Sequence, residues 1–104
     1  MKFKVGDKVR IKSLEEIKNL PNHSIRCGDI EGSCEDTDEL GNVITVKNTF
    51  LDLMFGFCGK ETVVEQVEQT DEECNYRLAD TNGWGFIACW LELAQHYVKS
   101  FDEE

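Results

Sequence analysis

The chain has 104 residues, of which 40% are hydrophobic and 31% charged, enough for one modest core and too apolar for global disorder. Its net charge is −10, which opposes nucleic-acid binding over most of its surface and favours basic partners. No apolar run approaches the ~20 residues that cross a bilayer.

The charge is uneven. Residues 1–26 hold seven Lys/Arg against three acids, a net +4, and residues 27–104 hold four Lys/Arg against eighteen acids, a net −14. Met1-Lys2-Phe3-Lys4 leads straight toward a strand with no apolar signal region, so the expected location is the cytoplasm. The five cysteines Cys27, Cys34, Cys58, Cys74 and Cys89 are odd in number and form no C-x-x-C pair. That disfavours a disulfide scaffold, and Cys58 and Cys89 read as small core residues.

In chain order, Val9 and Ile11 alternate with Lys8, Arg10 and Lys12, which predicts a strand with one apolar and one cationic face. Ser13 and Glu16 have capping-box spacing, and Leu14, Ile17 and Leu20 follow at helical spacing until Pro21. A short helix over 13–20 is expected. Residues 22–42 contain Asp29, Glu31, Glu35, Asp36, Asp38 and Glu39, three glycines and no base after Arg26. They read as a long acidic insertion in loop form, with a small hairpin at Cys27 to Cys34 at most.

Val43-Ile44-Thr45-Val46 is β-branched and predicts a strand. Thr49 and Asp52 then mark a helix start ahead of Met54, Phe55 and Phe57. Glu61 to Val67 reads as a strand with Thr62 and Val64 inward and a bulge before Val67. Tyr76 to Ala79 reads as another. Asp80-Thr81-Asn82-Gly83 is the strongest turn signal. Trp84 to Ile87 is the returning strand, and Trp90 to Leu93 reads as a 3₁₀ turn and a last strand. The N-terminal segment 3–11 and the segment 76–86 are expected to close a small barrel together. One domain over 1–94 is therefore expected, with a tail over 95–104.

Several stretches are similar to a known family. Val5-Gly6-Asp7-Lys8-Val9-Arg10-Ile11, Phe57-Cys58-Gly59-Lys60-Glu61-Thr62-Val63-Val64, Tyr76-Arg77-Leu78-Ala79-Asp80, Gly83-Trp84-Gly85-Phe86 and Trp90-Leu91-Glu92 resemble small SH3-like barrel proteins. Those are encoded mainly by phages, prophages and mobile elements of Gram-positive bacteria. The order of the motifs is also similar to the SH3-like repeats of mind-bomb-type proteins. The likeness covers about half the chain, and residues 22–48 have no counterpart in it. It implies a mainly β fold: a small SH3-like antiparallel barrel with one or two short helices and a long acidic insertion. Several small acidic phage proteins inhibit host defence complexes, anti-CRISPR proteins among them, so the resemblance also implies an inhibitor.

No catalytic set stands out. His23 and His96 have no Ser or Cys partner in a recognisable motif, and Gly83-Trp84-Gly85 lacks the rest of a phosphate loop. The chain is expected not to be an enzyme and to need no cofactor. Cys27, Cys34, His23 and Cys74 fit no zinc spacing, and the acids over 29–39 lack EF-hand order, so no metal site is expected. The candidate partner-binding residues are Asp29, Glu31, Glu35, Asp36, Asp38 and Glu39. They would mimic nucleic acid before a basic protein or nucleoprotein, against the plain reading that they keep the chain soluble. The acids over 61–73 read first as a solvated run. An alternative is an aromatic peptide-binding face of Trp84, Phe86 and Trp90, against core packing of at least two of them. A further alternative is nucleic-acid binding by Lys8, Arg10 and Lys12, against a solvated strand face.

Overall fold

Alternating side chains on eight strands build the described part of this protein. A computed structural model describes residues 2–70 and 72–94. The elements in chain order are β1 (Lys8–Ile11), α1 (Leu14–Lys18), β2 (His23–Arg26), β3 (Asp29–Thr37) and β4 (Val43–Phe50). A 3₁₀ turn (Asp52–Phe57), β5 (Glu61–Gln69), β6 (Cys74–Leu78), β7 (Gly85–Phe86), a second 3₁₀ turn (Ala88–Trp90) and β8 (Leu91–Leu93) follow. The fold is mainly β, as the sequence implies. The proposed tail over 95–104 lies outside the described residues.

Two antiparallel sheets form, one ordered β7-β6-β5-β1-β8 and one ordered β2-β3-β4. In the first, β1 lies between β5 and β8, with Val9 opposite Thr62 on one side and Leu93 on the other. The first and last strands thus sit side by side. β1 does not pair with β6 or β7, however; β5 intervenes. Among the described residues β7 and β8 are the two edges of this sheet, with no ladder joining them into a closed barrel.

The local signals explain most elements. Val9 and Ile11 are fully buried, while Lys8 and Arg10 point outward. Ser13 Oγ accepts from the Glu16 amide, Glu16 returns the bond to the Ser13 amide, and α1 starts there with Ile17 buried beneath it. Thr62 and Val64 face inward on β5, and the register slips between Val64 and Gln66, placing the bulge before Val67. The turn after β6 uses positive φ at Asp80 (59°) and Asn82 (57°), and Thr81 is buried with its hydroxyl donating to Leu78 O. Seven residues lie between the paired Arg77 and Gly85, so this is a broader turn than a two-residue hairpin.

Two elements correct the sequence reading. Residues 22–42 are not a loop: β2 and β3 pair from His23 opposite Gly32 to Arg26 opposite Asp29, and β3 pairs with β4 along its length. The β2–β3 connection is Cys27-Gly28, both at positive φ (52° and 88°), which suits a two-residue hairpin. The aromatic segment after β4 is a 3₁₀ turn rather than an α-helix. Its cap position is Leu51, with no side-chain cap bond, and Thr49 belongs to β4.

The two sheets meet through aromatic rings. Phe50 from β4 packs edge-on against Trp90, with ring centroids 4.9 Å apart. Phe86 from β7 lies 6.2 Å from Phe50 and 6.3 Å from Trp90. All three are wholly buried, and rings of this size supply much of the apolar area that holds a small core together.

Candidate functional site

β3 positions the acids that the sequence singles out, and its pleat divides them. Successive side chains of a strand point to opposite faces. Ile30, Gly32 and Asp36 are buried, and Cys34 is partly buried against the core. Asp29, Glu31, Ser33 and Glu35 occupy the other face, with Glu31 and Glu35 exposed.

Asp36 is therefore not a docking carboxylate. It is 5% exposed and accepts from the Tyr76 hydroxyl at 2.7 Å and from the Lys2 amide at 2.9 Å. The Tyr76 oxygen in turn accepts from the Lys2 and Phe3 amides at 3.0 and 3.3 Å. Burial, reinforced by the Asp36 carboxylate, drives the Tyr76 hydroxyl pKa well above its ordinary value, so it stays a donor. This node ties the N-terminal segment, β3 and β6 together.

The other five acids divide by partner. Asp29 accepts from the Asp52 amide at 2.9 Å and so anchors the first 3₁₀ turn. Glu31 pairs with Arg26 at 3.4 Å. Asp38 holds its own turn, accepting from the Leu40 and Asn42 amides at 2.9 and 2.8 Å, and the Asn42 amide in particular keeps its carboxyl pKa low. Glu35 and Glu39 stand exposed.

Tertiary structure adds two acids from elsewhere. The β3–β4 turn and the β5–β6 turn adjoin: Asp38, Glu39 and Leu40 share a hollow of about 310 Å³ with Gln69 and Thr70. Beside it, Glu72 and Glu73 line a hollow with Ile44, Thr45 and Lys47. A third hollow joins Glu35 and Val43 to Lys2. These three hollows thus carry Glu35, Glu39, Glu72 and Glu73, with Lys2 and Lys47 among their lining residues. Leu40 (86% exposed) and Val43 (64% exposed) stand among them. Two acidic stretches that read separately in sequence form one pole in space.

The aromatic face is core. Phe86 and Trp90 are wholly buried, and Trp84 is half-buried against the same cluster. They offer no open groove for a peptide. The basic face is partly neutralised: Arg10 pairs with Glu92 and with Glu16 at 3.2 Å, and the Glu92 bond raises its pKa. Lys8 is exposed and Lys12 half-buried. Among the described residues, no group of three or more His, Cys, Asp or Glu is placed to hold a metal ion. Among the described residues, no helix is long and apolar enough to cross a membrane.

His23 is the residue whose placement the sequence hides. Its Nε2 accepts from the Trp90 indole N–H at 3.0 Å, and Nδ1 lies 2.9 Å from Pro21 O. The two contacts together suit the tautomer that carries its proton on Nδ1. The ring lies over Gly32, where an added Cβ would come within 2.1 Å of Nε2. A strand glycine opposite a histidine was the available signal, since an interior strand glycine often marks close approach.

No protein-family model, curated protein or solved structure matches the chain.

Proposed function

We propose that this protein is a non-enzymatic binding protein that presents its acidic pole to a basic protein or nucleoprotein. The observation that carries this reading is the grouping of Glu35 on β3 with Glu39, Glu72 and Glu73 on two turns, Leu40 being exposed beside Glu39 and Val43 beside Glu35. The carboxylates would steer and register a cationic groove. The exposed apolar pair would supply contact area once water is expelled. Such a surface stands in for a phosphate backbone, which fits a phage-type, anti-CRISPR-like inhibitor of a host defence nucleoprotein in the bacterial cytoplasm. The burial of Phe86 and Trp90 and the ion pairs of Arg10 weigh against the peptide-binding and nucleic-acid-binding alternatives.

The test is capture from bacterial lysate on the immobilised chain at low and high salt. A basic partner is expected to bind at low salt and to weaken as salt screens the exposed charges. The variant Glu35→Lys/Glu39→Lys/Glu72→Lys/Glu73→Lys is expected to lose at least about tenfold in affinity while melting as the parent does. Equal capture by parent and variant would dispose of the reading.

A further inference from the structure

One edge of the three-stranded sheet is unfinished. β2 is that edge, with β3 on its other side. The two strands join through the two-residue turn Cys27-Gly28, so Arg26 and Asp29 form a hydrogen-bonded pair. Alternation makes Ser24 with Glu31 the next such pair and Asn22 with Ser33 the one after. The Ser33 amide does donate to Asn22 O, at 3.3 Å. His23 and Ile25 therefore turn their backbone N–H and C=O away from β3, and among the described residues nothing bonds them.

The side chains are unfinished at the same place. Ile25 stands opposite Ile30 on the core face of the sheet. Ile30 is 2% exposed and Ile25 is 62% exposed, with no further strand beside it. A hollow of about 190 Å³ lies there, lined by Leu14, Lys18, Ile25, Gly28, Ile30 and Phe55. A cavity of about 150 Å³ holds a benzene ring, so this one suits a single aliphatic side chain. Leu14 and Lys18 reach it from one face of α1, four residues apart. Lys18 makes no ion pair with a described residue.

We propose that the β2 edge is a docking seat for an extended segment of a partner protein, which adds to the sheet as a fourth strand. The segment carries an aliphatic residue whose backbone bonds Ile25 N–H and C=O and whose side chain fills the hollow. An acidic residue two positions away shares that face and meets Lys18. Main-chain bonds supply affinity in this mode of recognition, and the side-chain hollow supplies selectivity. Charge favours an acidic segment, since Lys18 is the one charged group lining the hollow and residues 1–26 are net +4. A second copy fits less well, because two β2 edges pairing would bring Lys18 and Arg26 of both copies together. The seat shares no residue with the acidic pole and stands whether or not that surface binds a partner. It is also distinct from Trp84, Phe86 and Trp90, which pack in the core.

The test uses the full chain and two blocked peptides, acetyl-Thr-Val-Thr-Ile-Thr-Asp-Thr-amide and its reversed sequence. One of them is expected to shift the Ile25 amide resonance and to slow its hydrogen exchange at least about tenfold. The same peptide N-methylated at its central Ile keeps its side chains and loses the donor to Ile25 O, so its affinity is expected to fall at least about tenfold. Ile25→Pro removes the outward N–H without breaking a bond to β3, as proline does on an edge strand. It is expected to abolish binding while leaving the far-ultraviolet circular dichroism spectrum unchanged. Lys18→Glu is expected to weaken binding about threefold. An unmoved Ile25 amide at millimolar peptide, or equal affinity for the N-methylated peptide, would overturn the proposal. So would a dimer in sedimentation velocity that Ile25→Pro dissolves, since the seat would then belong to a second copy.

Discussion

β3 and β5 are both nine-residue strands with acids at alternating outward positions, and each lies between two antiparallel neighbours. Their inward faces differ. β5 turns Thr62 and Val64 to the interior, and the Thr62 hydroxyl is satisfied by Ala79 O at 2.7 Å. β3 turns in Ile30, Gly32, Cys34 and Asp36: Ile30 and Cys34 pack on the apolar core, Gly32 meets the His23 ring, and Asp36 meets the Tyr76 hydroxyl. A strand is stabilised by whatever its inward face meets, and that need not be hydrocarbon. β5 has one hydrogen-bonded hydroxyl beside Val64, whereas β3 adds to Ile30 a buried carboxylate and a glycine under a histidine ring.

The largest expected effect comes from removing the ring at the joint between the two sheets. Trp90→Ala takes away the contacts to Phe50 and Phe86 and the donor to His23. Urea unfolding is expected to show a loss of about 3–5 kcal/mol. A loss below about 1 kcal/mol would mean that the sheets are not joined through this cluster.

Next in size is the contact unique to β3. Gly32→Ala would drive a methyl into the His23 ring and is expected to cost about 1–3 kcal/mol. The same change made in a His23→Ala background is expected to cost at least about 1 kcal/mol less, because the obstacle is gone. Equal costs in the two backgrounds would show that the glycine is needed for another reason.

The smallest effect separates two neighbours on the strand. Tyr76→Phe removes the hydroxyl that donates to Asp36 and is expected to cost about 1–3 kcal/mol by leaving a buried carboxylate short of a partner. Glu35→Gln, one residue away on the solvent face, is expected to stay within about 0.5 kcal/mol. Similar losses for both would contradict the inward placement of Asp36.

Much of the fold is legible in the residues. The Ser13/Glu16 box, the Val9/Ile11 alternation, the bulge on β5 and the order of 3₁₀ turn and last strand all follow from short-range rules. β3 escapes those rules because Gly32, Cys34 and Asp36 do not register as an apolar stripe, and its acids are what a solvated loop also contains. The candidate site is legible only in its charge. Glu35 and Glu39 are acidic in the sequence, but their grouping with Glu72 and Glu73 depends on two turns lying side by side.

By itself the sequence determined a small, mainly β protein with a short capped helix and a strongly negative surface, because period-two patterns, caps and net charge are properties of neighbouring residues. Only the tertiary structure decided which acid turns inward, which histidine meets Trp90 and where the carboxylates gather. Those outcomes depend on partners about 30 to 70 residues away, and loop closure over such distances carries a cost that no local pattern encodes.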